Sequence, residues 1–162
     1  MATDWQKILA QVRPKVVAEQ KELLKVTDEK LVPGRIIEIE LSEDDGLTLK
    51  DGYKTRKKYI VIISVDNDRV IYASFLINSA SYDITPELAD LQYPLNKKDY
   101  PTLLDHKSFL DCSTLFPIER TRLKTEGKDR GILTKSDLED AIETIKNSKT
   151  IEPKIKKKYN LA

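Results

Sequence analysis

The chain has 162 residues, of which 40% are hydrophobic and 34% are charged, and its formal net charge is +1. This length suits one domain with extensions, and the near balance of charge argues against a generic polyanion binder, which would carry a strong basic excess. One cysteine and one histidine exclude an intramolecular disulfide and the common Cys/His zinc patterns.

The first predicted element is a helical extension over residues 1–32. Proline at position 14 kinks this helix or starts a second one, because it lacks an amide proton and clashes with the previous turn. The segment ends near Pro33 and Gly34. Its apolar residues recur at helical spacing, and they are Trp5, Ile8, Leu9, Val12 and Val16.

The pattern then changes to the period of a β-strand. Ile37, Ile39 and Leu41 alternate with Glu38 and Glu40, which predicts a strand with one face buried.

A basic run at residues 56–58 leads directly into an apolar run that continues to residue 63. We predict a buried central strand over residues 58–65. A turn then leads to a second strand over residues 69–74, so that the two strands form a hairpin.

The second half of the chain is less regular. The apolar residues of the segment 79–107 recur with no clear period. This segment is predicted to be a long irregular connection with one short strand near Tyr93. Residues 108–118 predict another strand, which Pro117 ends. A capping-box pattern at Thr134 then starts a closing helix, and residues 151–162 predict a loose basic tail.

This order of elements predicts an α+β protein that is mainly β with flanking helices. Short strands joined by tight turns favour a small, strongly bent antiparallel barrel over residues 33–150. No apolar run approaches the length of a membrane span. Residues 1–10 contain charges and no apolar core of a signal peptide. We therefore predict a cytoplasmic protein with no membrane contact.

Several stretches carry a family resemblance. Residues 33–39, PGRIIEI, resemble the R-G-D-I-V strand of the PemK/MazF toxins. Residues 58–64, KYIVIIS, resemble that family's R-P-A-L-V-I-S strand. Residues 114–120, TLFPIER, followed by Arg122 and Leu123, resemble its Q-I-R-T-I-D-K stretch followed by R-L. GILT at 131–134 is similar to the start of that family's closing helix. The resemblance spans residues 33–147. It implies an SH3-like barrel and a homodimeric, metal-independent endoribonuclease that cleaves single-stranded RNA and is neutralised by an antitoxin.

The resemblance also places candidate catalytic residues. The family's basic residue falls on Lys58, with Arg56 two positions earlier, where both can stabilise phosphate charge. The family's Thr or Ser after the next strand falls near Asn78 and Ser79, and the polar residue of its Q-I-R stretch falls on Thr114. RNA cleavage by internal attack further needs a general base and a general acid, and His106 is the only side chain with an ordinary pKa near neutrality.

Neighbouring polar side chains are the predicted substrate-binding residues. They are Lys54, Tyr53, Lys57, Asn78 and Ser113. No metal or other cofactor is predicted.

The departures from the family pattern leave alternatives open. Lys58 and Phe116 stand where the family has arginines, so a catalytically degenerate barrel that binds protein or RNA is the alternative function. A short charge run is also typical of a solvated turn, and tyrosines often cap a small core. Cys112 fits a small buried hydrophobe better than a nucleophile. The N-terminal extension either packs on the barrel, blocks a groove or extends a dimer interface.

Overall fold

The computed structural model describes residues 23–45, 54–66, 70–77, 86–101, 108–159 and 161. Seven strands lie in this part of the chain: β1 (Arg35–Leu41), β2 (Arg56–Val65), β3 (Val70–Ile77), β4 (Gln92–Leu95), β5 (Ser108–Asp111), β6 (Phe116–Glu119) and β7 (Lys128–Ile132). The helices are α1 (Pro86–Ala89), α2 (Arg120–Glu126), α3 (Lys135–Lys146) and α4 (Pro153–Lys158). The α+β class is confirmed.

The strands form one antiparallel sheet in the order β4-β5-β3-β2-β1-β7, and β6 also pairs with β3. Within the described residues β4 and β7 are the two edges, and the sheet does not close into a barrel. The predicted SH3-like barrel is therefore not confirmed. No helix in the described ranges is long and apolar enough to cross a membrane.

Strand β2 is central, as its composition predicts. Residues 60–63 are all buried, and β-branched side chains suit a strand that is covered on both faces. We call the face of the sheet that carries Ile36 and Val61 the first face, and the face that carries Ile37 and Ile60 the second face. Each face supports a hydrophobic core.

The two cores have different covers. On the first face, Ala141 and Ile145 of α3 pack against the sheet. On the second face, Leu123 of α2 packs with Val26 and Leu31, which precede β1. Residues 1–22, which include the predicted apolar stripe of the extension, lie outside the described residues.

Helix α3 begins where the capping box predicts. The Asp137 amide donates to Thr134 Oγ1 at 3.2 Å, and the Asp137 carboxylate accepts from the hydroxyls of Tyr93 at 2.8 Å and Tyr100 at 2.5 Å. Burial and the Asp137 carboxylate raise the pKa of both tyrosines. These bonds fix the start of α3 to β4 and to the turn that follows it.

The single strand predicted over residues 108–118 is wrong. Leu110 of β5 pairs with Leu76, and Phe116 of β6 pairs with Ala73. The chain thus uses six residue steps where β3 uses three, and the extra residues leave the ladder. Pro117 lies inside β6 rather than ending it, which proline tolerates in a strand that pairs on one side.

The loose tail is also wrong for the described part of residues 151–162. Ile151 and Leu161 are buried in the first-face core, and α4 connects them. The Lys156 ammonium donates to the carbonyls of Lys146 and Ser148. Lys154, Lys157 and Lys158 are exposed, so the basic composition of the segment conceals its two buried residues.

Candidate functional site

The basic run lies at the start of β2, where β1 ends beside it. The register pairs Leu41 with Arg56, Glu40 with Lys57 and Ile39 with Lys58. Side chains of directly opposed residues project from the same face of a sheet. Arg56 and Lys58 therefore share the second face, and Lys57 projects from the first.

Lys58 is half-buried beside the second-face core. Burial of the ammonium lowers the pKa of Lys58 below its ordinary value, and the charge of Arg56 lowers it further. A desolvated cation is costly unless a negative group compensates it, and no ion pair of Lys58 lies among the described residues. Two adjacent cations, one exposed and one half-buried, can hold an anion such as a phosphodiester.

Lys57 has different surroundings. It lines an open depression of about 260 Å³ together with Ile39, Glu38, Glu40, Glu126 and Lys128. Arg130 pairs with Glu38, and Arg122 pairs with Glu126. The depression therefore holds three carboxylates, two of them already paired with arginines, beside two lysines, and its charges nearly balance. The substrate-binding role of Lys57, like that of the exposed Lys54, stays a prediction.

A second polar cluster lies where β5 ends. Asp111 Oδ1 accepts from the Ser113 hydroxyl at 2.5 Å, from the Ser113 amide at 3.0 Å and from Gln92 Nε2 at 2.9 Å. The Thr114 hydroxyl lies 3.4 Å from that of Ser113, and Thr150 Oγ1 donates to the Ser113 carbonyl. We call Gln92, Asp111, Ser113 and Thr114 the carboxylate–hydroxyl cluster.

The Asp111 turn explains why the ladder breaks here. A carboxylate that accepts from the amide two residues later closes a local turn in place of a strand bond. Ser113 is consequently buried, with 7% of its surface exposed, whereas Thr114 is exposed. The cluster thus runs from a half-buried carboxylate through a buried hydroxyl to a solvent-facing hydroxyl.

Arg56 and Lys58 share one face of the sheet with Asp111 and Gln92 of the cluster. Tyr59 pairs with Leu76, and Leu76 pairs with Leu110, in one row across β2, β3 and β5. Lys58 and Asp111 each lie one residue from this row, so both project from the second face. Strand β3 lies between them, and they are on opposite sides of the row, so their Cα atoms are separated by two strand spacings and two residue steps, about 12 Å in all.

Two further predictions concern Phe116 and Cys112. Phe116, in place of a family arginine, is buried in the second-face core and supplies no charge. Cys112 is buried in the first-face core, and burial with the nearby Asp111 carboxylate raises the pKa of its thiol to about 12. This agrees with the interpretation of Cys112 as a small buried hydrophobe.

Four predicted site residues lie outside the described residues: Tyr53, Asn78, Ser79 and His106. The strand ends that adjoin them in sequence are Arg56, Ile77 and Ser108. These three described strand ends lie at the same end of the sheet.

The sequence did not single out Asp111 or Gln92. The D-x-S spacing of Asp111 and Ser113 is a turn signal that the apolar pattern around it hides. Gln92 has no local signal, because its contact with Asp111 depends on the pairing of β4 with β5. The described ranges contain no group of three or more His, Cys, Asp or Glu side chains placed to hold a metal ion.

Comparison with known proteins gives no further assignment. No protein-family model matches the chain, and no curated protein matches it.

Proposed function

We propose that this chain is a metal-independent endoribonuclease of the PemK/MazF toxin type, with an SH3-like barrel, that cleaves single-stranded RNA. The observation that supports it most is the common face of two groups: the cations Arg56 and Lys58, and the carboxylate of Asp111 in the carboxylate–hydroxyl cluster. An extended RNA strand that lies across β2, β3 and β5 contacts both groups.

Each cation has a distinct part in this proposal. Arg56 is exposed and presents a planar fork of donors, which suits a phosphate oxygen pair, whereas Lys58 acts as a point charge. Held in place beside the core, Lys58 stabilises the charge that develops on the phosphorane without prior reorganisation. Ser79 and Thr114 are proposed hydrogen-bond donors to the phosphate, and His106 is the proposed general base.

The test is cleavage of single-stranded RNA in the presence of EDTA. The wild-type chain is expected to cleave, and Lys58→Ala is expected to lose about 100- to 1,000-fold in rate, the usual effect of removing one preorganised charge-stabilising group. Lys58→Arg keeps the charge and is expected to lose less of the rate than Lys58→Ala.

Lys135→Ala is the matched control, because the Lys135 side chain is 91% exposed and its ion pair with Glu139 is long, at 3.9 Å. Its rate should equal that of the wild-type chain. RNA that stays intact at a large excess of wild-type protein refutes the proposal.

The same proposal includes the partners and the setting of the family. We propose a cytoplasmic homodimer that an antitoxin protein neutralises. Expression in a bacterium is expected to arrest growth, and co-expression of the antitoxin to relieve the arrest.

A second function has its own support. The Ser113 hydroxyl is already bound to Asp111, Phe116 brings no cation, and β3 separates the cations from the hydroxyls. These features favour a catalytically degenerate module that binds RNA or protein. RNA binding without cleavage, together with normal growth on expression, is the result this alternative predicts.

A further inference from the structure

The carboxylate–hydroxyl cluster contains a short contact that a turn alone does not need. The Asx-type turn is complete once Asp111 Oδ1 accepts the Ser113 amide at 3.0 Å. The same oxygen also accepts the Ser113 hydroxyl at 2.5 Å. This distance is typical of a charge-assisted bond between a hydroxyl and a carboxylate.

The hydroxyls continue outward from this contact. Thr114 Oγ1 lies 3.4 Å from Ser113 Oγ, and Thr114 is exposed while Ser113 is 7% exposed. A separation of 3.4 Å is longer than an ordinary hydroxyl hydrogen bond. Catalytic hydrogen bonds are often long without substrate and shorten when it binds.

We propose that Asp111 is the terminal proton acceptor of a relay that runs from the Thr114 hydroxyl through the Ser113 hydroxyl, and that this relay, in place of His106, activates the attacking 2′-hydroxyl of RNA. The inference rests on the proposed endoribonuclease function. Asp111 acts through two other side chains and is therefore a positioning residue.

The proton balance of the first step is complete. The 2′-hydroxyl gives its proton to Thr114 Oγ1, the Thr114 proton moves to Ser113 Oγ, and the Ser113 proton moves to Asp111. The 2′-oxygen forms its bond to phosphorus. The bond from phosphorus to the 5′-oxygen breaks, and that oxygen takes a proton from the Lys58 ammonium, leaving a cyclic phosphate and a 5′-hydroxyl.

The positions of Lys58 and Asp111 agree with their proposed roles as proton donor and proton acceptor. Lys58 and Asp111 project from the same face with β3 between them. The proton donor and the proton acceptor therefore flank the middle strand, where the scissile phosphate lies in this scheme. Gln92 Nε2 holds Asp111 from the side of β4 at 2.9 Å.

The Asp111→Asn variant removes the proton acceptor of the relay and keeps the turn. The amide oxygen of asparagine still accepts the Ser113 amide, the Ser113 hydroxyl and Gln92, so the turn is retained. The amide does not accept a proton in the working pH range. Cleavage of single-stranded RNA by the full chain should fall about 100-fold or more in kcat, with KM and the melting temperature unchanged.

A second variant tests the outer end of the relay. Thr114→Val replaces an exposed hydroxyl and should lower kcat in the same direction. Thr125→Val is the matched control, because the exposed Thr125 hydroxyl bonds only to carbonyls of its own helix.

The outcomes distinguish the relay from the function on which it rests. Wild-type cleavage with an unchanged rate in Asp111→Asn overturns the relay and leaves the endoribonuclease intact. A wild-type chain that does not cleave overturns both. If Asp111→Asn fails to fold, Thr114→Val decides, and a wild-type rate in that variant overturns the relay.

Discussion

Replacement of Lys58 by methionine tests whether the half-buried ammonium is kept for binding rather than for stability. Lys58→Met retains the length of the side chain and removes its charge. Lys58 lies opposite Ile39 and next to Ile60 on the second face, and these neighbours are 2% and 0% exposed. A methionine at this position extends an apolar surface that is already buried.

The expected effect is a gain in stability of about 1–2 kcal/mol. Full burial of an ion costs several kcal/mol, and Lys58 is only half-buried, so relief of part of that cost is of the order of 1 kcal/mol. One additional buried methylene equivalent contributes about 0.8 kcal/mol. The variant also removes the repulsion between the charges of Arg56 and Lys58.

The gain should depend on pH in a definite direction. Because the folded pKa of Lys58 is lowered, the charged lysine destabilises the fold below that pKa. The penalty disappears as the pH rises through the folded pKa towards the unfolded value of about 10.4. The advantage of Lys58→Met is therefore full near pH 7 and shrinks in alkali.

Urea unfolding followed by circular dichroism at pH 7 and pH 10 measures this difference. A gain of 1 kcal/mol corresponds to about 2–4 °C in melting temperature for a chain of this size. RNA affinity should fall in the same variant. Lys135→Met, at the 91% exposed Lys135, should change neither quantity beyond about 0.5 kcal/mol.

A loss of stability in Lys58→Met would refute the reasoning. It would mean that a negative group of the chain already compensates the ammonium. Lys58 would then be part of an internal ion pair, and Arg56 alone would remain as a free cation for a phosphate.

Two further predictions concern the Arg122–Asp45 ion pair and the cations of β2. Arg122→Ala should lower the free energy of unfolding by about 1–2 kcal/mol at pH 7, because Arg122 binds the Asp45 carboxylate through two nitrogens. Arg122 holds the pKa of Asp45 below its ordinary value, so its stabilisation is lost as pH falls through the folded pKa, and urea titrations below pH 4 should show a smaller difference. RNA binding through Arg56 and Lys58 should follow salt with a slope of about −1.4, since each phosphate contact to a single strand contributes about −0.7; a fluorescence titration from 50 to 200 mM salt measures it.

The elements that the sequence predicts well are those with a local signal. β1 alternates apolar and acidic residues from Ile37 to Leu41, β2 has a β-branched run, and α3 has both a cap and an apolar face. In each, local preference and burial agree, so the pattern suffices.

The missed elements depend on distant pairing. α2 buries only Leu123, and β7 reads KDRGI without an apolar period. β7 becomes a strand because it pairs with β1 across a bulge between Ile36 and Ile37. Such pairing is not encoded in a short window of sequence.

The site divides in the same way. That Arg56 and Lys58 share a face follows from the period of two in a strand, so this half of the site is predictable from the sequence. That Asp111 lies on the same face follows only from the pairing of β3 with both β2 and β5. The sequence therefore predicts the basic residues Arg56 and Lys58 of the site, but not the acidic residue Asp111.

The two faces at the start of β2 differ in charge, and this difference bears on the proposed RNA site. Lys57, which projects from the first face, lines a depression in which lysines and carboxylates nearly balance. On the second face, Arg56 and Lys58 act together beside apolar side chains that strengthen their field. A chain with a net charge of +1 has little general attraction for nucleic acid, so an RNA strand that binds here must be held by the second face.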